Sequence, residues 1–334
     1  NKTWKKLIPE FPYMRCSLPK EVKLSKWNWS AGVYSQLKAD GSYANVITTP
    51  EGVRILTRSG TEYPNEFFQD VIDVVTANFP VNQVINGEML VYKNGEALPR
   101  EIGNGKLNSI AKGGQDALEA DERIVFLAWD LVPYDDYVAG HCTQTYKYRW
   151  DRLNACMEHL PAIHRGALGT INTRIVYSFE EALTHYLELI DAGFEGSIIK
   201  RPEGEWVDST SRDQVKLKVL CDVELKMVGL TQGNGKNAVT FGSVTAHSSD
   251  GEFVVNVSGF KDSVRREIFD NWEQKYKGSI FTVCINNITK PTKNNMKHSA
   301  FLPRFVEFRP EKTEPDSLQR IIDQYDSVIK RATK

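Results

Sequence analysis

Tyr34-Ser35-Gln36-Leu37-Lys38-Ala39-Asp40-Gly41-Ser42 reads as a strand that ends in a lysine, then an acid, then a glycine suited to a tight turn. Such a segment delivers one amine to the floor of a pocket. Lysine attacks an electrophile only when neutral, and its ordinary pKa of about 10.4 keeps it charged at neutral pH. Neighbouring cations or a desolvated pocket must favour the neutral form before the amine can attack a centre such as phosphorus. The same residues also suit a hairpin turn with a solvated lysine. The rest of the chain decides between the two.

Around this stretch the chain alternates as strand, turn and hairpin through Val33–Leu37, Ala44–Ile47 and Val53–Arg58. A helical period runs through Phe67, Phe68, Val71, Ile72 and Val75, and apolar strands are expected at 84–92 and 124–132. Residues 94–122 are polar and carry Gly103, Gly105, Gly113 and Gly114, which reads as a mobile loop with a short helix. Helices are expected at 146–159 and 179–192, and a strand at 195–201. Upstream, residues 1–31 hold Pro9, Pro12 and Pro19 among lysines and aromatics, and read as an extended lead-in packed on a body. After Lys218 the composition shifts to strands at 223–230, 239–247 and 252–257, a helix at about 261–276, and strands near 279–288 and 301–309. Five strands with one interposed helix fit a small barrel of the oligonucleotide-binding type.

At 334 residues the chain exceeds the usual single-domain size, so two domains are the default. A net charge of −1 gives no overall attraction to polyanions, so nucleic-acid binding must come from local patches. One such patch is 290–312, where Lys290, Lys293, Lys297, Arg304, Arg309 and Lys312 face only Glu307 and Glu311. Cys16, Cys142, Cys156, Cys221 and Cys284 are scattered and odd in number, which suits reduced thiols of an intracellular protein better than a disulfide frame or zinc site. No apolar run approaches a membrane span, so no membrane partner is expected.

Candidate chemistry lies at strand ends. Glu88, after Asn86-Gly87, and Glu195, before Gly196-Ser197-Ile198-Ile199-Lys200, are two carboxylates suited to a hard cation such as magnesium, or else edge glutamates. Lys216 and Lys218 lie at period two on one strand face, able to clamp phosphates. Trp129 offers a flat face to a base, and Arg58 reaches for a phosphate or ribose.

The order of these features carries more than any one of them. Lys38-Ala39-Asp40-Gly41, Arg58-Ser59-Gly60, Glu88, Trp129-Asp130, Glu195 to Lys200, Lys216-Leu217-Lys218 and Arg309-Pro310-Glu311-Lys312 resemble the successive motifs of covalent nucleotidyltransferases. Within that superfamily the chain is similar to phage-type ATP-dependent DNA ligases, from Asn1 to about residue 318. The resemblance implies an α+β fold: a lead-in (1–31), an adenylation domain (32–220; nucleotidyltransferase/ATP-grasp-like, antiparallel sheets flanked by helices) and an OB-fold β-barrel (221–334). It implies that Lys38 attacks the α-phosphate of ATP, carries AMP as a phosphoramidate, and passes it to the 5′-phosphate of a nick that the 3′-hydroxyl then seals. Trp129 and Ile198 would flank adenine, whose edge is read by Gln36 and the Leu37 backbone. Glu88 would serve ribose and metal, and Glu195 the metal. Arg58, Lys216 and Lys218 would contact phosphates, with Arg309 and Lys312 on those of ATP. ATP and Mg2+ are the implied cofactors, nicked duplex DNA the partner, a monomer the state, and the cytoplasm the location (a host's, if of phage origin).

Two positions depart from the pattern: Tyr43 stands where many relatives carry arginine, and Glu311 where aspartate is common. Phage-type relatives also commonly carry a helical DNA-binding domain upstream, so the chain is expected to be either a fragment or a self-sufficient two-domain core. RNA ligases and RNA-capping guanylyltransferases use the same lysine chemistry. The Arg-x-x-Lys motif disfavours the first, and a lysyl-GMP would mark the second. A non-catalytic nucleic-acid-binding module has no need of Lys38, Glu88 and Glu195 together.

Overall fold

The computed structural model describes residues 11–115, 117–163 and 165–332, so Trp4 and Pro9 of the expected lead-in lie outside the described residues. The chain divides into two compact units, Asn1–Leu217 and Lys218–Lys334. The first unit runs β1 (Arg15–Ser17), β2 (Val33–Leu37), β3 (Ser42–Thr49), β4 (Gly52–Thr57), α1 (Gln69–Asn78), β5 (Gln83–Lys93) and β6 (Glu96–Ala97). It continues through α2 (Arg100–Ala111), β7 (Glu122–Pro133), α3 (Tyr134–Ala139), β8 (His141–Cys142), α4 (Tyr146–Ala155), β9 (Leu168–Thr170) and β10 (Thr173–Val176). It ends with α5 (Phe179–Asp191), β11 (Ser197–Lys200), β12 (Trp206–Val207) and β13 (Thr210–Leu217).

Two sheets dominate this unit, with strand orders β1-β13-β11-β2-β10 and β4-β3-β5-β7-β9. Pairing is antiparallel except at β1/β13 and β7/β9, which are parallel. Strands β5 and β7 bury both faces, and that is why they read as continuous apolar runs rather than alternation. One face (Ile85, Met89, Val91, Phe126, Ala128) packs with Val71, Val75, Leu107 and Ile110 of the helices. The other (Leu90, Val125, Leu127) packs with Ile171, Leu37 and Trp129. Each fully buried large side chain, Phe126 among them, stabilises the sheet by about 1.5–3 kcal/mol. Helix α5 starts at Ser178, whose side chain accepts the Glu181 N–H, and it covers β2 through a 2.7 Å hydrogen bond between His185 and Ser35.

Two local expectations need correction. Residues 94–122, expected as a loop with a short helix, contain the three-turn helix α2, because Gly103, Leu107 and Ile110 form a buried face that outweighs glycine's low propensity. The described part of the lead-in, from Phe11 onward, is also more ordered than expected. It carries strand β1, hydrogen-bonded to β13, and three short 3₁₀ turns.

The second unit comprises β14 (Cys221–Leu230), β15 (Val244–His247), β16 (Val254–Val257), α6 (Asp262–Asp270), β17 (Ile280–Ile285), β18 (Ile288–Thr289), β19 (Ser299–Ala300), β20 (Arg304–Phe308) and α7 (Leu318–Ala332). Its sheet has the order β16-β15-β14-β17-β20 over a core of Val223, Leu225, Met227, Val244, Val255, Phe281 and Val283. The sheet does not close into a barrel. Its edge strands are linked by a single bridge, Ser258–Arg304, just beyond β16 and at the start of β20. Among the described residues all five cysteines are free, and no helix is long and apolar enough to cross a membrane.

Candidate active site

The first sheet sets one row of side chains by register. Ile198 of β11 lies opposite Gln36 of β2 on one side and Lys216 of β13 on the other. At period two the same face carries Tyr34, Gln36 and Lys38 along the chain, and Ile198 and Lys200 along β11. The second sheet supplies Glu88, paired with Tyr43 across β5 and β3. Between the two sheets lies a cavity of about 670 Å3 whose lining includes Gln36, Leu37, Lys38, Arg58, Glu88, Trp129 and Ile198.

A β-bulge presents Trp129. Asn86 pairs with Asp130 and Gly87 with Ala128, leaving Trp129 as the extra residue on β7 and turning its ring out of the ladder. Its neighbour Asp130 also lines the cavity, and its carboxylate is taken up by the buried Arg149 at 2.8 Å.

Lys38 continues the β2 ladder, its N–H donating to Gly196 O at 2.9 Å, and its Nζ donates to the Glu195 carboxylate. Gly41 lacks the left-handed conformation expected of a turn glycine. It is needed for close approach, since a Cβ there would lie 2.2 Å from Met89 O and 2.9 Å from Glu88 Cγ. That approach lets the Gly41 N–H donate to Glu88 Oε1 at 3.1 Å. Helix α2 clamps the same loop: Arg100 meets Asp40 at 3.0 Å, and Asn104 bonds both Gly41 O and Ser42 Oγ. Burial pushes the Glu88 carboxyl up to about 8, against the opposing pull of Lys38 and the Gly41 N–H.

Other expected residues are placed less simply. Gln36 donates to Tyr146 Oη at 2.6 Å, and the Leu37 N–H donates to Asn172 O, so both donors already have protein acceptors. Lys216 sits on β13, but Lys218 lies one residue past its end, so no continuous strand face carries the pair. Tyr43 does not stand in for an arginine. Its hydroxyl donates to Asn45 and accepts from Asn86, and burial holds it well above 10. In the second unit, Arg309 and Lys312 follow β20 and share one carboxylate, Glu224, which also accepts from Thr282 at 3.0 Å. Arg309 further pairs with Glu311.

Lys200 was not singled out from sequence, although it closes the Glu195–Lys200 motif. It is 4% exposed, 4.7 Å from the Tyr146 ring centroid and 5.7 Å from that of Trp129. Burial lowers its ammonium to about 8, with Asp130 pulling the other way. The folded value lies below the unfolded one, so between about pH 8 and 10.4 the unfolded chain binds more protons and stability rises with pH. Lys200→Met should therefore raise the unfolding free energy at pH 7 by about 1–3 kcal/mol after the lost cation–π contacts, with the gain shrinking by pH 10. Urea unfolding at both pH values tests this. A variant less stable than the wild type at pH 7 contradicts it.

Residues 17–218 match the family model described as ATP dependent DNA ligase domain. The chain is 27% identical over 370 aligned positions to the DNA ligase of Enterobacteria phage T4, covering 98% of this chain and 74% of that protein, and equally similar to that of phage T6. Its fold is similar to the ATP-dependent DNA ligase of bacteriophage T7 solved with ATP (TM-score 0.51, 15% identity, 90% of this chain and 99% of that one). It is also similar to a structure titled Pmar-Lig_PreS3 (TM-score 0.59, 19% identity, 92% and 70%). With the family match spanning well over half of the chain, this protein belongs to the ATP-dependent DNA ligase family.

Proposed function

We propose that this chain seals nicks in duplex DNA, as a monomer, through a lysyl-AMP on Lys38. The observation that carries the reading is the meeting of Lys38, Glu88, Arg58, Trp129 and Ile198 at one cavity, with Glu195 bonded to the Lys38 amine. ATP enters with adenine between Trp129 and Ile198, Gln36 and the Leu37 backbone at its edge, and its phosphates toward Lys38, Arg58, Lys216 and Lys218. Nζ forms a bond to the α-phosphorus as the bond to pyrophosphate breaks, and the amine's proton has Glu195 as its nearest acceptor. The 5′-phosphate of the nick then displaces Lys38 from AMP. In the last step the 3′-hydroxyl displaces AMP. The second unit, read as an OB-fold, contributes Arg309 and Lys312 to the first step and its basic segment at Lys290, Lys293 and Lys297 to the DNA backbone. A lysyl-GMP in place of lysyl-AMP would assign the chain to capping chemistry.

Glu195 bonds the Lys38 ammonium, Glu88 is held near it with a carboxyl raised to about 8 that a bound cation would return to its charged form, and among the described residues no three His, Cys, Asp or Glu side chains form a self-sufficient metal cage. Two carboxylates beside a phosphate site fit magnesium, which keeps much of its coordination for water and phosphate oxygens. When bound, it would offset phosphate charge during the transfer. Glu195 holds the amine, and Glu88, accepting from the Gly41 N–H, holds the loop that follows Lys38. Glu88→Ala and Glu195→Ala should each cut sealing by about 10²–10⁴-fold, with the defect deepening at limiting magnesium. Magnesium titrations of nick sealing test this; two variants with wild-type magnesium curves would make both carboxylates structural.

A further inference from the structure

Among the described residues three cations line the cavity: Lys38, Arg58 and Lys200. Lys200 is buried against Tyr146 and Trp129, and Lys38 is the group that forms the covalent bond. Arg58 is therefore the cavity-lining cation that joins Lys216 and Lys218 in meeting phosphate on the reading above. It sits in an exposed turn after β4, where a long side chain ordinarily samples many rotamers and loses that freedom on binding. Here it is held. The guanidinium carbon lies 4.3 Å from the centroid of the Tyr13 ring, a cation–π distance.

Tyr13 itself is fixed from both sides. Its N–H donates to Asp208 Oδ1 at 2.8 Å, and Pro12 O accepts from the buried Tyr137 hydroxyl at 2.8 Å. Its ring meets Tyr43 edge-on at 4.8 Å, and Tyr43 is locked by Asn45 and Asn86. Two residues earlier, Phe11 fills the space over Gly60 of the Arg58-Ser59-Gly60 turn, where a Cβ would fall 2.1 Å from the ring. The lead-in thus packs on the turn and on its arginine together.

We propose that Tyr13 is the positioning residue for Arg58: its ring pre-orders the guanidinium over the cavity so that the arginine meets the phosphates of ATP without first losing its rotamer freedom. This rests on the nucleotide site read above and adds to it a role for the lead-in. Pre-ordering acts on binding, so the effect belongs in KM for ATP and not in the rate at saturation.

The test is self-adenylation measured over a range of ATP concentrations for Tyr13→Ala, Tyr13→Leu, Tyr13→Phe, Arg58→Ala and the double variant Tyr13→Ala/Arg58→Ala. Tyr13→Ala and Tyr13→Leu should raise KM roughly 3- to 30-fold, while Tyr13→Phe, which keeps the ring, should stay within about twofold of the wild type. In the Arg58→Ala background, Tyr13→Ala should add nothing further. The leucine variant keeps aliphatic bulk without the ring, and the double variant separates a loss routed through Arg58 from a loss of packing on Tyr43. Equal effects of Tyr13→Ala with and without Arg58, or a Tyr13→Phe as impaired as the alanine variant, overturn the proposal. If Arg58→Ala alone leaves adenylation unchanged, the phosphate role of Arg58 falls instead. If it slows adenylation while the Tyr13 variants do not, only the present inference falls.

Discussion

Lys38→Arg is expected to lower ATP-dependent nick sealing by about 10⁴-fold or more while leaving the protein folded. Arginine preserves the positive charge and can still reach Glu195, so the ion pair survives in kind. What it cannot do is lose a proton, and a guanidinium offers no lone pair to phosphorus. A side chain valued only for its charge would tolerate this exchange; a nucleophile would not. Lys38→Ala should be as inactive. Its side chain is 28% exposed and packs little, so the melting temperature should move only slightly. Circular dichroism beside a gel assay of nicked-duplex sealing separates the two effects. An arginine variant retaining a tenth of wild-type sealing would remove Lys38 as the covalent site.

Arg309→Ala and Lys312→Ala should split the reaction. On the function proposed above they neutralise and orient the departing pyrophosphate, a need that exists only while ATP is being consumed. In the second unit Arg309 pairs with Glu224 and Glu311 while Lys312 stands 3.7 Å from Glu224, so the two cations already sit side by side as a polyphosphate would need them. Self-adenylation by either variant should fall by about 10²–10⁴-fold, in the range of lost phosphate-clamping arginines elsewhere. Single-turnover sealing of a chemically pre-adenylated nick, without ATP, should fall by less than about tenfold. If the variants lose that step as badly as they lose adenylation, they serve DNA or the fold and not the leaving group.

Legibility from sequence followed the range of the interactions. Strands β2, β5 and β7 carry local signals, apolar runs and a lysine at a strand end, and the sequence places Glu88 and Trp129 on β5 and β7 and Lys38 just past β2 directly. The bulge that turns Trp129 into the cavity was not legible, because it depends on a one-residue slip against β5 that only pairing reveals. Helix α2 was obscured by Gly103 and Gly105, whose low propensity is overridden by burial of Leu107 and Ile110. That omission concealed the clamp of Arg100 and Asn104 on the Asp40–Ser42 loop. The enclosure of Lys200 was not legible either, because Trp129 and Tyr146, distant in sequence, form it. Tyr13 gave no periodic signal at all, since its partners Arg58, Tyr43 and Asp208 lie 45, 30 and 195 residues away. In the second unit the five strands of the main sheet were readable, while the short pair β18-β19 and helix α7 were not, and closure of the sheet depends on how its edge strands meet, which no local pattern encodes.

The most direct test is mass spectrometry of the protein after incubation with ATP and magnesium, followed by peptide mapping. The expected result is one AMP per chain, lost on addition of nicked duplex and located on the peptide that contains Lys38. No adduct, or an adduct on Lys200, Lys216 or any other residue, would contradict the covalent role of Lys38.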